Sequence, residues 1–332
     1  MEVFYPEYYH RFRCLAGACP DSCCKEWTVD VDDEAAARYR ALPGALGDRL
    51  RQVLTDQDGS TVMTIVDGRC PMWQADGLCR IQAELGHDAL CKTCRDFPRL
   101  EHDYGDFMEL GLELSCPEAA RLILTAENQP MLTAVQPGGC KPEYDPEIMG
   151  TLRTSRDAVL GFLRDDSCSV PDALAAILLY AHGIQEVIYG DVDFTLSPAE
   201  CLNGLHQHQH SGDMQTVFDF FLDLNILTEQ WQTRLKQSPG AISWTPTLRS
   251  LACYMVERYW LQSICDYDLV CRAKLAVVAC LLVGALGGDP VETAQLFSKE
   301  IENDPDNVEM ILDSAYVSPA LTDKNLLSLL LN

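Results

Sequence analysis

The second half of the chain repeats apolar residues at the spacing of amphipathic helices, while alternating strand patterns are scarce there. A helix with one apolar face must bury that face against a neighbour. The pattern therefore predicts an α-helical bundle or array after residue 145. The predicted helices span 146–165, 171–189, 198–209, 213–236, 246–265, 268–285, 290–302 and 306–316, with a C-terminal helical turn from 322.

The first third of the chain lacks this regular spacing and mixes short helix and strand patterns. Acidic residues open a predicted helix over 32–54, which Pro43-Gly44 interrupts. β-branched or alternating runs predict strands, whereas Pro117 suits the first turn of a helix. The predicted strands are 61–66 and 107–114, and the predicted short helices are 79–90 and a segment from 117 onward.

Proline and glycine concentrate just before the helical half, as in Pro137-Gly-Gly-Cys-Lys-Pro142. Such a run favours turns over regular structure and is typical of a linker. The predicted organisation is a cysteine-rich metal- or cluster-binding domain over 1–128, a linker over 129–145 and an α-helical domain over 146–332. The predicted fold class is mainly α, with minor β structure in the cysteine-rich region.

The chain is strongly acidic, with 25 Lys and Arg against 50 Asp and Glu and a formal net charge of −25. This charge repels phosphates, so we expect neither nucleic acid nor a membrane surface as a partner. The first residues lack the basic and apolar regions of a signal peptide. The longest apolar run, Leu275 to Leu286, is short for a membrane span. We therefore expect a cytoplasmic protein.

The sixteen cysteines are unevenly distributed, and nine of them precede residue 120 in tight groups. In a reducing compartment such thiols are more often metal ligands or buried side chains than disulfides. The seven later cysteines are scattered and suit buried positions in helices. The candidate metal ligands are Cys14, Cys19, Cys23, Cys24, Cys70, Cys79, Cys91 and Cys94.

The spacing of these thiols suits a soft metal. Pairs such as Cys91-x2-Cys94 let one loop deliver two thiolates, each at about 2.3 Å from the metal. The candidates within 70–94 suffice for a four-thiolate site, and those within 14–24 offer a second group. One mixed site and two separate sites are equally consistent with these spacings. Cys-Pro pairs, common beside iron–sulfur ligands, occur at 19, 70 and 116, but a structural zinc knot explains the same thiols.

An ordered set of motifs accompanies the thiols: Cys14-x4-Cys19-x3-Cys23-Cys24-x2-Trp27, Cys70-Pro71, Gly77-Leu-Cys-Arg-Ile-Gln82, Leu85-Gly86, Leu90-Cys91-x2-Cys94-Arg95-x2-Pro98-Arg99 and Leu114-Ser-Cys-Pro-Glu-Ala-Ala-Arg121. Together these motifs resemble the flagellin lysine N-methylase family. Its wider relatives are zinc- or iron-chelating proteins named for a CxxCxxCC motif. The resemblance is close over residues 5–125 and covers the helical remainder only in length and character.

The resemblance implies methyl transfer from S-adenosylmethionine to the ε-amine of flagellin lysines, with an iron–sulfur cluster of the four-iron, four-sulfur type. Zinc is the alternative metal, and a non-enzymatic metal-binding, interaction or redox-sensing protein is the alternative function. The glycine-rich turn of Rossmann methyltransferases and the radical-type spacing Cys-x3-Cys-x2-Cys are both missing from the sequence. No catalytic base is identified.

Charged residues beside the cysteine motifs are candidates for contacting the cofactor or the substrate lysine: Arg95, Arg99, Glu118 and Arg121. The alternative is ion pairing that anchors the ligand loops. Trp73 lies between two candidate ligands and is expected to shield the metal from water. His206 and His210 would share one face of a helix with room for a metal, although a solvated helix end explains them and His208 equally well.

Overall fold

The computed structural model describes residues 1–25, 27–57, 59–127, 130–190, 192–203 and 212–331. These residues are mainly helical, with two small sheets near the N-terminus followed by a helical array. The predicted fold class is thereby confirmed. The histidines His206, His208 and His210 lie outside the described residues, as does the end of the helix predicted over 198–209.

Among the described residues, seven strands form two sheets, ordered β5-β6-β1-β7 and β2-β4-β3. In the larger sheet β1 is parallel to β6, with Val3 opposite Met108, and antiparallel to β7. Strand β7 lies inside the predicted linker. The strands are β1 (Glu2–Tyr5), β2 (Val29–Asp30), β3 (Leu54–Gln57), β4 (Ser60–Met63), β5 (Arg99–Asp103), β6 (Phe107–Leu112) and β7 (Leu132–Val135).

Short helices connect these strands: α1 (Asp33–Ala41), α2 (Gly44–Val53), α3 (Arg80–Leu85), α4 (Lys92–Asp96) and α5 (Pro117–Leu124). The interruption predicted at Pro43-Gly44 is confirmed, because α1 ends before it and α2 begins at Gly44. The Asp32 carboxylate caps α1 by accepting from the Ala35 N–H at 2.9 Å. It also accepts from the Lys92 N–H at 2.7 Å, so this cap fixes the loop that carries Cys91.

The helical array comprises α6 (Pro146–Arg164), α7 (Val170–Tyr189), α8 (Pro198–Cys201), α9 (Met214–Leu222), α10 (Glu229–Leu235), α11 (Pro246–Tyr259), α12 (Leu269–Leu286), α13 (Pro290–Phe297), α14 (Pro305–Ser314) and α15 (Asp323–Leu330). A 3-10 segment, Trp260–Cys265, follows α11, and a π-helical turn, Ser298–Glu302, follows α13.

The single helix predicted over 213–236 is wrong, because the chain breaks between α9 and α10. Side chains that are distant in the sequence accept hydrogen bonds from the backbone between α9 and α10. The Asn225 N–H donates to Asn307 at 2.9 Å, and the Leu227 N–H donates to Glu300 at 2.8 Å. These tertiary hydrogen bonds replace the ones that a continuous helix would make.

Helix α12 is the centre of the array and is buried along almost its whole length. By length and composition it is the one described helix that could cross a membrane, yet 94% of that stretch is buried inside the protein. Such a helix is weak evidence for a membrane span, because the core helix of a globular protein passes the same test. Its surroundings here are those of a core helix.

In the part of the chain that the structure describes, the buried apolar side chains form two cores. The larger one joins the helical array with Tyr8, Phe12, β6 and α5. Arg156 of α6 reinforces that junction by a buried bidentate pair with Glu109 of β6, at 2.6 and 2.8 Å. The smaller core lies within residues 29–91 and contains two candidate ligands, Cys70 and Cys91. The division at residues 128 and 145 stays a prediction.

Candidate functional site

A cavity of about 490 Å³ lies where the N-terminal cysteine loops meet the end of α13. Its wall comes from four stretches, 12–27, 73–99, 115–118 and 299–303. Six of the eight candidate thiols line it, while Cys70 and Cys91 are buried nearby. The structure therefore brings residues that are far apart in the sequence around one space.

Two glycines allow the cysteine loops to touch. Gly77 has φ +79°, a conformation that L side chains rarely adopt, and its position for a Cβ lies 3.5 Å from the Cα of Gly17. A Cβ on Gly17 would come within 2.9 Å of the Asp76 carbonyl oxygen. Backbone contact between these loops is what places the thiols of 14–24 beside Cys79.

Five thiols, Cys24, Cys70, Cys79, Cys91 and Cys94, form the group that we call the inner thiols. Hydrogen bonds from the Cys23 and Cys70 thiols lower the pKa of Cys24 to about 3. A hydrogen bond from Cys94 lowers the pKa of Cys91, and the same bond with burial raises that of Cys94. In this group the pKa is therefore lowered at Cys24 and Cys91, which favours the thiolate, the form that binds metals.

Four more thiols, Cys14, Cys19, Cys23 and Cys116, form the group that we call the outer thiols. Cys14 and Cys116 both act electrostatically on Cys23, and Cys14 and Cys19 both act on Cys116. Burial raises the pKa of Cys116 to about 11. The sequence-based ligand set omitted Cys116, although its Cys-Pro pair, shared with Cys19 and Cys70, was a usable signal.

Aromatic side chains line the same cavity. The Trp27 indole donates to the Cys23 carbonyl at 2.9 Å, which fixes the loop around that thiol. Trp73 lies against the cavity with the Arg69 guanidinium 4.2 Å from its ring centroid. Its buried indole N–H has no hydrogen-bond partner among the described residues. An unpaired donor in a thiol-lined cavity is suited to a sulfur acceptor.

Ion pairs between charged residues line the cavity on the side of the helical array. Lys299, in the π-helical turn, lies 3.0 Å from the Asp21 carboxylate, which also pairs with Lys25 at 3.2 Å. Burial alone would raise the pKa of Asp21, but Lys299 and Lys25 lower it. Gln295 donates to the Ser115 carbonyl at 2.6 Å and so ties α13 to the start of α5. No pattern in the sequence indicated that residues of the helical half, such as Lys299, would line this cavity.

The four charged candidates divide into two pairs. Arg99 and Glu118 line the cavity, and the Arg99 guanidinium lies 5.3 Å from the Phe12 ring centroid. Arg95 and Arg121 are outside the described lining. Arg95 pairs with Asp96 at 3.1 Å, and Arg121 pairs with Glu118 at 2.7 Å. Local ion pairing therefore accounts for Arg95 and Arg121.

The donor set fits a thiophilic metal in type and place, since seven thiols line one cavity and the unpaired indole N–H of Trp73 lies on the same wall. Hydrogen bonds link the thiol of Cys24 to those of Cys23 and Cys70, and the thiol of Cys91 to that of Cys94. In the part of the chain that the structure describes, no three His, Cys, Asp or Glu side chains are placed so that they could already hold an ion. Ligation therefore requires the thiols to close around the metal.

Over 129 residues, the chain is 34% identical to the flagellar biosynthetic protein FliU of Salmonella muenchen, covering 37% of this chain and 76% of FliU. The chain belongs to the FliU/lysine-N-methylase family. It is 34% and 33% identical over 129 residues to the lysine-N-methylases of Salmonella typhimurium and Salmonella choleraesuis, and spans 32% of each. No family model matches the chain, and no solved structure matches it significantly.

Membership in the FliU/lysine-N-methylase family confirms the resemblance that the cysteine motifs indicated. The chain spans about a third of the length of the two lysine-N-methylases, so their activity does not transfer with the family name.

Proposed function

We propose that this member of the FliU/lysine-N-methylase family is a protein-lysine N-methyltransferase that uses S-adenosylmethionine and acts on flagellin. One observation carries the proposal: candidate metal-binding thiols, aromatic rings and charged side chains line a single cavity in this chain. The relatives' names supply the reaction, lysine N-methylation, and the flagellar context of the substrate.

In the proposed reaction the lysine nitrogen forms a bond to the methyl carbon of the cofactor. The bond between that carbon and the sulfonium sulfur breaks, and S-adenosylhomocysteine leaves with the electron pair. The lysine ammonium must first lose a proton to water, because an ammonium has no lone pair for the attack. Aromatic walls desolvate the ammonium, which lowers the pKa of a lysine. The aromatic residues available for this are Phe12, Trp27, Trp73 and Phe97.

The residues proposed to hold the metal are the eight thiols named from the sequence, in the loops 14–24 and 70–94. When bound, an iron–sulfur cluster supplies an iron that can accept the amino and carboxylate groups of the methyl donor. Zinc, the alternative, would hold the loops together. The Trp73 ring, on the cavity wall, would exclude water from the thiolates in either case.

Arg99 and Glu118 keep their proposed contact roles because both line the cavity. The Arg99 guanidinium suits the carboxylate of S-adenosylmethionine, and the Glu118 carboxylate suits the substrate ammonium. Arg95 and Arg121 are assigned to anchoring the loops through their ion pairs. We place the reaction in the cytoplasm, where flagellin is present before export.

Co-expression with the cognate flagellin tests this proposal. Flagellin from cells that also express the wild-type chain should gain the mass of one or more methyl groups on lysine. Cys24→Ser removes an inner thiolate and should abolish the gain, whereas Cys271→Ser, a buried cysteine at the start of α12, should leave it intact. Unmodified flagellin beside well-expressed wild-type protein would contradict the proposal.

Metal analysis of protein purified without oxygen separates the two cofactors. Iron with acid-labile sulfide supports the cluster. A colourless protein that contains stoichiometric zinc and still methylates flagellin would show that the cofactor is zinc and not an iron–sulfur cluster. A zinc protein that does not methylate flagellin would favour the non-enzymatic alternative.

A further inference from the structure

A second cavity of about 580 Å³, which we call the side groove, adjoins the thiol-lined cavity. Residues of α5, α10, α13, the π-helical turn and the segment 20–25 line it. Asp21, Pro117 and Lys299 line both spaces. By contrast, the cavity of about 510 Å³ beside Tyr8 and Glu257 shares no lining residue with the thiol-lined cavity. Of these two spaces, the side groove is the one that continues the candidate site.

Side chains form part of the wall between the side groove and the thiol-lined cavity. The Asp21 carboxylate lies 3.0 Å from the Lys299 ammonium and 3.2 Å from the Lys25 ammonium. Both lysines line the side groove. The positive charges of the groove are therefore held in ion pairs with a carboxylate that faces both spaces.

Two further carboxylates of the side groove, Glu229 and Glu292, are exposed. Glu229 is the first residue of α10, and Glu292 lies in the first turn of α13. Within the described part of the chain, no basic side chain forms an ion pair with either of them. Negative charge is therefore what the groove presents without a partner.

The remaining lining of the side groove combines apolar and amide side chains. It comprises Pro20, Ala120, Val291, Leu296, Gln230 and Gln295, together with Thr228. A glutamine amide both donates and accepts hydrogen bonds, as the peptide group does. This mixture suits a polypeptide segment better than a small charged ligand.

The proposed reaction requires a binding surface of this kind beside the cavity. A lysine side chain that reaches the methyl donor belongs to a polypeptide whose main chain stays outside, so the residues next to it need a place to bind. Binding of substrate parts that do not react helps to hold the reacting atoms in position. Exposed carboxylates attract a lysine-bearing segment and repel an acidic one.

We propose that the side groove binds the flagellin segment beside the modified lysine, and that Glu229 and Glu292 favour neutral or basic residues in that segment. No bond forms or breaks in the groove, so it contributes affinity for flagellin and not chemistry. The inference rests on the proposed function for the identity of the occupant.

The test uses the full chain, the cognate flagellin monomer and S-adenosylmethionine, and compares the wild type with three variants. The double variant Glu229→Lys/Glu292→Lys reverses both exposed charges. Gln230→Trp, at an exposed position of α10, narrows the groove without changing its charge. Glu147→Lys is the matched control, because Glu147 is also exposed in the first turn of a helix, α6, and lies outside the groove lining.

The double variant should raise the KM for flagellin by about tenfold. Its kcat and its KM for S-adenosylmethionine should match those of the wild type, because the groove contributes uniform binding. Gln230→Trp should also raise the KM for flagellin, but it should keep the salt dependence that the double variant loses. Glu147→Lys should behave as the wild type, and circular dichroism checks that all four proteins are folded.

Flagellin affinity is also measured without turnover, from the fluorescence anisotropy of labelled flagellin. Unchanged KM and affinity in both groove variants would overturn the inference, and so would an equal loss in Glu147→Lys. A wild type whose flagellin binding is weakened by the groove variants, but which transfers no methyl group, contradicts the proposed function alone. Methylation with the same KM for flagellin in all four proteins contradicts the groove alone, and a wild type that neither binds nor methylates flagellin contradicts both.

Discussion

Gly17 and Gly77 determine whether the two cysteine loops can meet. A side chain at Gly17 would separate the backbones, since its Cβ would lie 2.9 Å from the Asp76 carbonyl oxygen. At Gly77 the constraint is the positive φ of +79°, because a Cβ there would make an ordinary contact of 3.5 Å with the Gly17 Cα. The contact between the cysteine loops therefore depends on residues that carry no functional group.

Gly17→Ala should destabilise the protein by about 1–3 kcal/mol, because the new methyl group collides with backbone that can move only by parting the loops. It should also reduce the metal content of purified protein. Denaturant unfolding and metal analysis measure the two effects. Gly161→Ala is the matched control, because a Cβ there, within α6, meets no atom within 4 Å. Gly17→Ala with unchanged stability and metal content would contradict the loop contact.

The spacing of the candidate thiols predicted that they would lie together in loops, as metal-ligating cysteines do, and their ligation of a metal stays a prediction. Trp73 could be placed near them for the same reason. Lys299 could not be assigned from local pattern, since it reaches the cavity through tertiary packing of the π-helical turn. Cys116 carried a local signal in its Cys-Pro pair, but its place on the cavity wall depends on the packing of α5. Arg95 and Arg121 were selected because they lie beside the cysteine motifs in the sequence. Neither is among the described residues that line the cavity.

At the scale of elements, most of the long helices were predictable, whereas the sequence indicated only β4 and β6 among the strands. The periodic segments 146–165 and 268–285 correspond to α6 and α12 because their apolar faces repeat locally. Strands β1 and β7 escaped prediction, since each is four residues long and gains its hydrogen bonds from partners more than a hundred residues away. The break between α9 and α10 depends on Glu300 and Asn307, which no local pattern reveals.

Ion pairs as well as apolar contacts attach helix α15 to the core. Asp323, its first residue, lies 2.9 Å from the buried Lys274 ammonium of α12 and 3.2 Å from His182 of α7. Burial would raise the pKa of Asp323, but His182 and Lys274 lower it to about 2. The ionised carboxylate therefore stabilises the folded protein at pH values above 3.8, the ordinary pKa of an aspartate. This contribution disappears as the pH falls toward 2.

Asp323→Ala should lower the free energy of unfolding by about 1–2 kcal/mol at neutral pH, an amount limited by solvent screening of the half-exposed carboxylate. The difference from the wild type should shrink as the pH falls from about 4 to 2. Urea unfolding across this range measures it, with the exposed neighbour changed in Lys324→Ala as the control. A difference that is independent of pH would show that the ion pairs contribute nothing.

At the scale of the whole molecule, the cavity is formed jointly by the cysteine loops and the helical array, since residues of both line it. The Asp21–Lys299 pair and the Gln295–Ser115 hydrogen bond cross from one part to the other. The larger core also spans both, since it includes Tyr8, Phe12 and α5 together with α12. The site is therefore a property of the assembled chain and not of the cysteine loops alone.

A double-mutant cycle with Asp21→Asn and Lys299→Met should give a coupling energy of about 1–3 kcal/mol, because both side chains are largely buried. The same cycle on the exposed pair Glu34 and Arg38, which are 2.8 Å apart, should give under about 0.5 kcal/mol. Denaturant unfolding of each variant supplies the energies. Additive effects at Asp21 and Lys299 would mean that the bridge does not join the two parts.

The central claim, that this cavity transfers a methyl group to flagellin lysine, is tested most directly with purified components. Metal-loaded protein is incubated with flagellin and S-adenosylmethionine that carries an isotopic label on its methyl group, and the flagellin is analysed by peptide mass spectrometry. The account predicts labelled methyl-lysine and S-adenosylhomocysteine in equal amounts, with neither formed by Cys24→Ser. Unlabelled flagellin after incubation with the fully metal-loaded wild type would contradict it.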